Sequence, residues 1–452
     1  NLVNAQKVFG KVLERDLFSF NAMIAAHAQH LHGNEAFHLL QQMQLEGVGP
    51  DKVSYLGVLS ACSGLADLNV GKVIHAVIEN SEFELDDVVG NALVNMYGNC
   101  DSLEDAQSVF NKISAMDVVS WNALLAGFVE HGLGEEALTC LNQMPEDSIL
   151  PDAVTFICSL KARSCLGEIS SGQKIHAEIA MEGYEIDLCI GNTLIDMYFK
   201  CGLLIEACEL FDELPDQDVA SWTAKISGYA DHGFGAEALN CFEEMLSKGF
   251  SPNVATFLCG MKACGSVKAI GKGQILHAAI IKQGILMEQP VGSSLVDMYA
   301  KCGFLVEACN VFDQLPMRND VSFNALMWGY AERGQSIEAL KCMEQMSLEG
   351  IVPDGVTFSS ILKACGTVGD IRQGQEIHSE VVKRAPERDV FVGGNLVDLY
   401  VKCGLHKEAR ATSSKLLVRD IVTWNTLLSG YLEHGVVSRF MSNPGKEHWN
   451  AV

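Results

Sequence analysis

The sequence predicts an all-α fold, a right-handed superhelical solenoid of helix-turn-helix repeats. Three observations predict it. The phrase "LIDMYFKCGLLIEACELFDELPDQDVASW" at 194–222 returns as "LVDMYAKCGFLVEACNVFDQLPMRNDVSF" from Leu295 and as "LVDLYVKCGLHKEAR" from Leu396. Tyr97, Tyr198, Tyr299 and Tyr400 stand 101 residues apart, and His75, His176, His277 and His378 keep the same step, as do Cys100, Cys201, Cys302 and Cys403. Within each cycle, short helix-period apolar patterns are broken by Gly and by Pro-Asp. A fixed interval without insertion is the mark of a repeat array.

One cycle justifies the elements in order. Residues 118–218 divide into units of 35, 35 and 31 residues, at 118–152, 153–187 and 188–218. In the first unit Trp121, Leu124, Leu125 and Phe128 recur at helical spacing and mark one apolar face. Gly132 follows as a stop. A second helix is expected from near Glu135, with Ala137, Leu138, Leu141 and Met144 on its inner face. Pro151 and Asp152 then close the unit, because proline breaks the helical run. One hairpin cannot bury both its faces, so neighbours must stack. Four cycles fit, at 17–117, 118–218, 219–319 and 320–420. A partial repeat precedes them at 1–16, another follows at 421–435, and 436–452 is a non-repeat tail.

Composition narrows the function classes. The 452 residues are 48% apolar, enough to fold, and no apolar run approaches the length of a membrane span. The net charge of −25 argues against loose, charge-driven binding to nucleic acid or membrane. The 16 cysteines stand in no paired spacing, which points to buried free thiols in a reducing compartment. The chain opens at Asn1 inside the pattern, so any targeting segment is expected outside it.

The tempting catalytic motifs fail on their chemistry. "HAE" at 176–178 and "HSE" at 378–380 match the HxE of zinc deaminases but lack the P-C-x-x-C partner. "GSVKAIGKG" at 265–273 misses P-loop spacing, and Gly273 stands where Ser or Thr would coordinate the metal. No CxxC pair offers metal ligands. No enzyme activity, cofactor, metal, small-molecule substrate or membrane partner is expected.

Units ending in Pro-Asp, "SWNALLAGF", "LKAC", "GQEIH", "LVDMYAKCG", "EACNVFDQLP" and the 35/35/31 alternation resemble plant-type pentatricopeptide repeat proteins. The match is to the subclass that alternates long and short motifs (PLS), over residues 1 to about 435. The resemblance implies a tetratricopeptide-like superhelix that binds single-stranded RNA, one base per repeat. It also implies a mitochondrial or chloroplast role in RNA editing, stability, splicing or translation, alongside editing or processing proteins.

In the family the fifth and last residues of a motif read the base. Carried over, Asn21 pairs with Asp51, Asn91 with Asp117, Asn122 with Asp152, Asn192 with Asp218, and Asn324 with Asp354, each reading uridine. Thr223 with Asn253 and Ser293 with Asn319 would read adenosine, while Gly394 with Asp420 departs from the pattern. Val88, Val119, Val321 and Val422 take the place that sandwiches the base. The middle units carry Leu56, Ile157, Leu258 or Ser359 at the fifth place; the first three cannot hydrogen-bond a base, so these units space rather than specify. From the residues alone the Asp and Asn side chains read equally well as helix caps, and one Asp can do both. Lys161, Lys262 and Lys363, and Lys200, Lys301 and Lys402, are candidate phosphate contacts or solvated surface lysines. Glu130, Asp231, Glu332 and Glu433 occupy the equivalent place in the first units.

The tail "GVVSRFMSNPGKEHWNAV" resembles a copia-type retrotransposon polyprotein segment, without polymerase carboxylates. Two other readings stay open: a helical-repeat scaffold for protein partners, and a truncated fragment of a longer editing factor.

Overall fold

Helices account for the regular structure in the computed structural model, and no strand occurs among the described residues. The structure describes residues 2–433, apart from 13–14, 31, 80–85, 145–148, 168, 185–186, 287, 385–389 and 417–420. The tail at 436–452, Asp420 of the departing pair, and the side chain of Val422 lie outside the described residues. By contacts the chain divides into residues 1–228 and 229–452, the boundary falling within the helix Val219–Asp231.

In the first division the helices Leu17–Gln29, Lys52–Leu65, Asp87–Asn99, Val118–Glu130, Ala153–Leu166 and Leu188–Lys200 pack each on the next in one row. A second helix follows each across a short turn and packs against it. The second division repeats the plan, with Val254–Val267, Gln289–Cys302, Asp320–Glu332, Gly355–Val368, Val390–Lys402 and Ile421–Glu433 as its row. The two layers bury the apolar stripes. Trp121, Leu124, Leu125 and Phe128 are buried, with Ala137 and Met144 facing them from Gly134–Gln143 and its cap. Gly132 reverses the chain between these helices at φ +72°, a conformation open to glycine and costly for residues with a Cβ.

The repeated "YxKCG" is a packing element. Tyr97, Tyr198, Tyr299 and Tyr400 each hydrogen-bond Nδ1 of His75, His176, His277 and His378 through the hydroxyl, at 2.8, 2.9, 2.9 and 2.6 Å. The rings meet edge to face, with centroids 5.5–5.7 Å apart. Each pair ties the second helix of one hairpin to the first helix of the next. The cysteine of the phrase is buried at Cys100 and half-buried at Cys201, Cys302 and Cys403, and all 16 thiols are free. Burial pushes the Cys62 and Cys264 thiols up to about 12, which keeps them protonated and inert.

A glycine sets how closely two first helices meet. A Cβ on Gly127 would lie 3.2 Å from the Gly98 Cα. One cycle later the Phe199 ring occupies the corresponding place against Gly228. Any side chain at Gly228 would push that ring out of the core.

Candidate nucleic-acid interface

In each division the first helices stack in a row, and each helix N-terminus leaves backbone N–H groups to be satisfied. The last residue of the preceding unit satisfies them. Asp51, Asp117, Asp152 and Asp354 accept the backbone N–H of Ser54, Ser120, Thr155 and Thr357 at 2.8–2.9 Å, each closing a capping box. Asp218 accepts from Ser221 N at 2.8 Å, Asn253 from Thr256 N and Asn319 from Ser322 N, both at 2.9 Å. Capping by these residues is therefore real.

The same caps hold the fifth residue of their unit. The amide nitrogen of Asn21 donates to Asp51 Oδ1 at 3.0 Å, that of Asn122 to Asp152 at 2.9 Å, and that of Asn324 to Asp354 at 3.2 Å. Asn192 reaches Asp218 at 3.2 Å and Asn91 reaches Asp117 at a long 3.5 Å. Ser293 donates to Asn319 Oδ1 at 3.0 Å. The Thr223 hydroxyl donates to the Val219 carbonyl at 2.7 Å; Thr223 lies in the first division and Asn253 in the second. One carboxylate oxygen thus takes the helix cap and the neighbouring amide together.

Those carboxylates are ionised. Burial pushes Asp51, Asp117, Asp152, Asp218 and Asp354 up. The N–H, hydroxyl and amide donors around each outweigh burial and hold the group below its ordinary value.

Beside several of the caps stands an exposed apolar side chain. Val88, Val119 and Val321 are the second residues of their helices and are 50–54% exposed. Val53, Val154 and Val356 hold the same place in the middle units with similar exposure, and Phe18, more exposed still, holds it in the helix Leu17–Gln29. Sequence reasoning passed over these four, although the offset of two residues after the cap was visible. Leu56, Ile157, Leu258 and Ser359 are half-buried.

The candidate phosphate lysines are exposed or partly exposed, and five of them carry carboxylate partners. Lys200, Lys301 and Lys402 pair with Asp196, Asp297 and Asp398 one turn back, at 2.7–2.8 Å. Lys262 meets Asp231 at 2.5 Å and Lys363 meets Glu332. Lys161 is exposed. Asp231 and Glu332, two of the acids that interrupt the lysine track, are thus bonded to it.

His176 and His378 of the HxE phrases are hydrogen-bonded to Tyr198 and Tyr400. Among the described residues no group of three or more His, Cys, Asp and Glu is placed to hold a metal ion. No described helix is long and apolar enough to cross a membrane.

Comparison with known proteins follows the repeat pattern. The PPR repeat family matches residues 15–64, 116–162, 217–266 and 318–367, and the PPR repeat matches 91–118, 192–219, 293–319 and 422–439. A chloroplastic pentatricopeptide repeat-containing protein of Arabidopsis thaliana is 33% identical over 438 residues, covering 96% of this chain and 50% of its own length. A mitochondrial one from the same plant is 31% identical over 453 residues, with coverage of 96% and 50%. The chain thus spans about half the length of these relatives. Among solved structures, maize PPR10 in complex with an 18-nucleotide psaJ RNA element shares the fold at TM-score 0.60 and 19% identity, covering 97% of this chain and 69% of that one.

Proposed function

The chain belongs to the pentatricopeptide repeat family, and from that premise we propose that it binds single-stranded RNA by sequence, one base per reading unit. One observation carries the reading: a fifth-residue amide or hydroxyl is hydrogen-bonded to the last residue of its unit, and at Asn122 and Asn324 an exposed valine stands on the same helix face. Such a pair offers donors and acceptors to a Watson–Crick edge, and the valine offers a surface to the base face. Asn21 with Asp51, Asn91 with Asp117, Asn122 with Asp152, Asn192 with Asp218 and Asn324 with Asp354 read uridine. Thr223 with Asn253 and Ser293 with Asn319 read adenosine. The middle units act as spacers, in the alternating long and short arrangement of the PLS subclass. With RNA running 5′ to 3′ along the chain, the target is U·UU·UA·AU, each dot an unread base.

Relatives named as chloroplastic and as mitochondrial support an organellar site of action. There the array delivers specificity to editing, stability, splicing or translation, while protein partners supply chemistry. A gel shift tests the reading. The matching RNA should bind at least about tenfold tighter than a scrambled one, as two or more lost base contacts imply; equal affinities overturn it. The net charge of −25 favours a second reading, a scaffold for a basic protein, which equal affinities would leave standing.

A further inference from the structure

We propose that a buried hydroxyl on the following helix, Ser54, Thr155 or Thr357, sets the base specificity of Asn21, Asn122 and Asn324 by fixing which edge of the amide faces the base. The inference rests on the base-reading role proposed above. The Asn21 Oδ1 accepts from Ser54 Oγ at 2.6 Å, Asn122 from Thr155 at 2.8 Å and Asn324 from Thr357 at 2.7 Å. Each hydroxyl has one proton. Its rival acceptor, the cap carboxylate, is farther in every case, at 2.9, 3.0 and 2.8 Å. A lone pair of the hydroxyl takes the N–H of Asp51, Asp152 or Asp354 at 3.1–3.2 Å. The hydroxyl is therefore itself oriented, and at 0–1% residue exposure these side chains sit beneath the surface a base would touch.

The consequence follows from amide geometry. Oxygen is tied to the hydroxyl and one N–H to the carboxylate. Turning the amide over would break both bonds and set its oxygen against a carboxylate oxygen. One N–H remains free, a donor suited to a base carbonyl. Uracil presents its O4 carbonyl where cytosine presents the N4 amine, so a fixed donor separates the two.

Asn91 and Asn192 lack this lock. Their Oδ1 atoms are buried with no hydrogen-bond partner. The corresponding hydroxyls turn to their own caps instead, Ser120 to Asp117 Oδ1 at 3.0 Å and Ser221 to the Asp218 carbonyl at 2.9 Å. These amides are held through the nitrogen alone, at 3.5 and 3.2 Å, so turning over to accept from cytosine breaks one bond where the locked amides lose two. The units of Asn21, Asn122 and Asn324 thus read uridine strictly, and those of Asn91 and Asn192 read a pyrimidine tolerantly.

Selection from an RNA pool randomised at the five Asn-facing positions tests this on the unaltered chain. The U-to-C ratio should be about fivefold higher at the three locked positions, the worth of one net hydrogen bond; equal ratios at all five overturn the lock. Thr155→Val should lower the ratio about fivefold at its own base and nowhere else, with Thr155→Ser retaining it. A Thr155→Val chain that keeps the ratio while Asn122→Ala loses it overturns the lock and spares base reading. If Asn122→Ala keeps it too, base reading itself falls, and the lock with it.

Discussion

Asp152 shows how much one side chain carries. Its carboxylate caps Ala153–Leu166, holds the Asn122 amide, and stays ionised because donors surround it. Removing it deletes a cap worth about 1 kcal/mol. It also strands a largely buried amide N–H, for about 1 kcal/mol more. Asp152→Ala should therefore lower stability by about 2 kcal/mol in urea unfolding. Asp152→Asn should cost under about 0.5 kcal/mol, because asparagine caps as well as aspartate. Similar losses for both would contradict the dual role. The caps were legible in the sequence because Asp followed by Ser or Thr three residues on is a local signature. The Thr155 hydroxyl bond to Asn122 was not, since it joins residues 33 apart through side chains whose directions no pattern records.

Between helices, the histidine and tyrosine pairs act as clamps, and those of His75 and His277 prefer a neutral imidazole. Burial lowers the His277 value below 6.5, and burial likewise dominates at His75, opposed there by Glu79. As pH falls below 6.5, the unfolded chain takes up protons that the folded one refuses, so stability declines until the folded-state value is reached. The melting temperature should drop between about pH 7.5 and 5.5, and His277→Gln should make that slope shallower. An unchanged slope would place the sensitivity elsewhere. The helices themselves were readable from period, Gly and Pro-Asp. What the repeat of His and Tyr at one step did not reveal was their partnership, because 22 residues and a turn separate them.

For the molecule as a whole, charge is the governing quantity. The proposed RNA binding would run against the field of a chain at −25, and the candidate phosphate lysines are largely engaged by acids. Exposed ion pairs of this kind are worth about 0–1 kcal/mol, so a phosphate can displace the acid at modest cost. If all six lysines reached phosphates, affinity would fall with salt at a log-log slope of about −4. The proposed RNA binding should show a shallower slope, and Glu332→Gln, which frees Lys363, should strengthen binding a few-fold at low salt. A filter-binding salt series measures both, and weaker binding by the variant would refute the pairing argument. The charge total and the aspartates one turn before Lys200, Lys301 and Lys402 were plain in the sequence; that Asp231 meets Lys262 and Glu332 meets Lys363 needed the packing of adjacent helices. The caps carry one last implication. The residues proposed to spell the target, aspartate and asparagine, are interchangeable as helix caps. A lineage can therefore respell its message at those places with almost no thermodynamic penalty, and retargeting is limited by selection on the RNA rather than by tolerance of the scaffold.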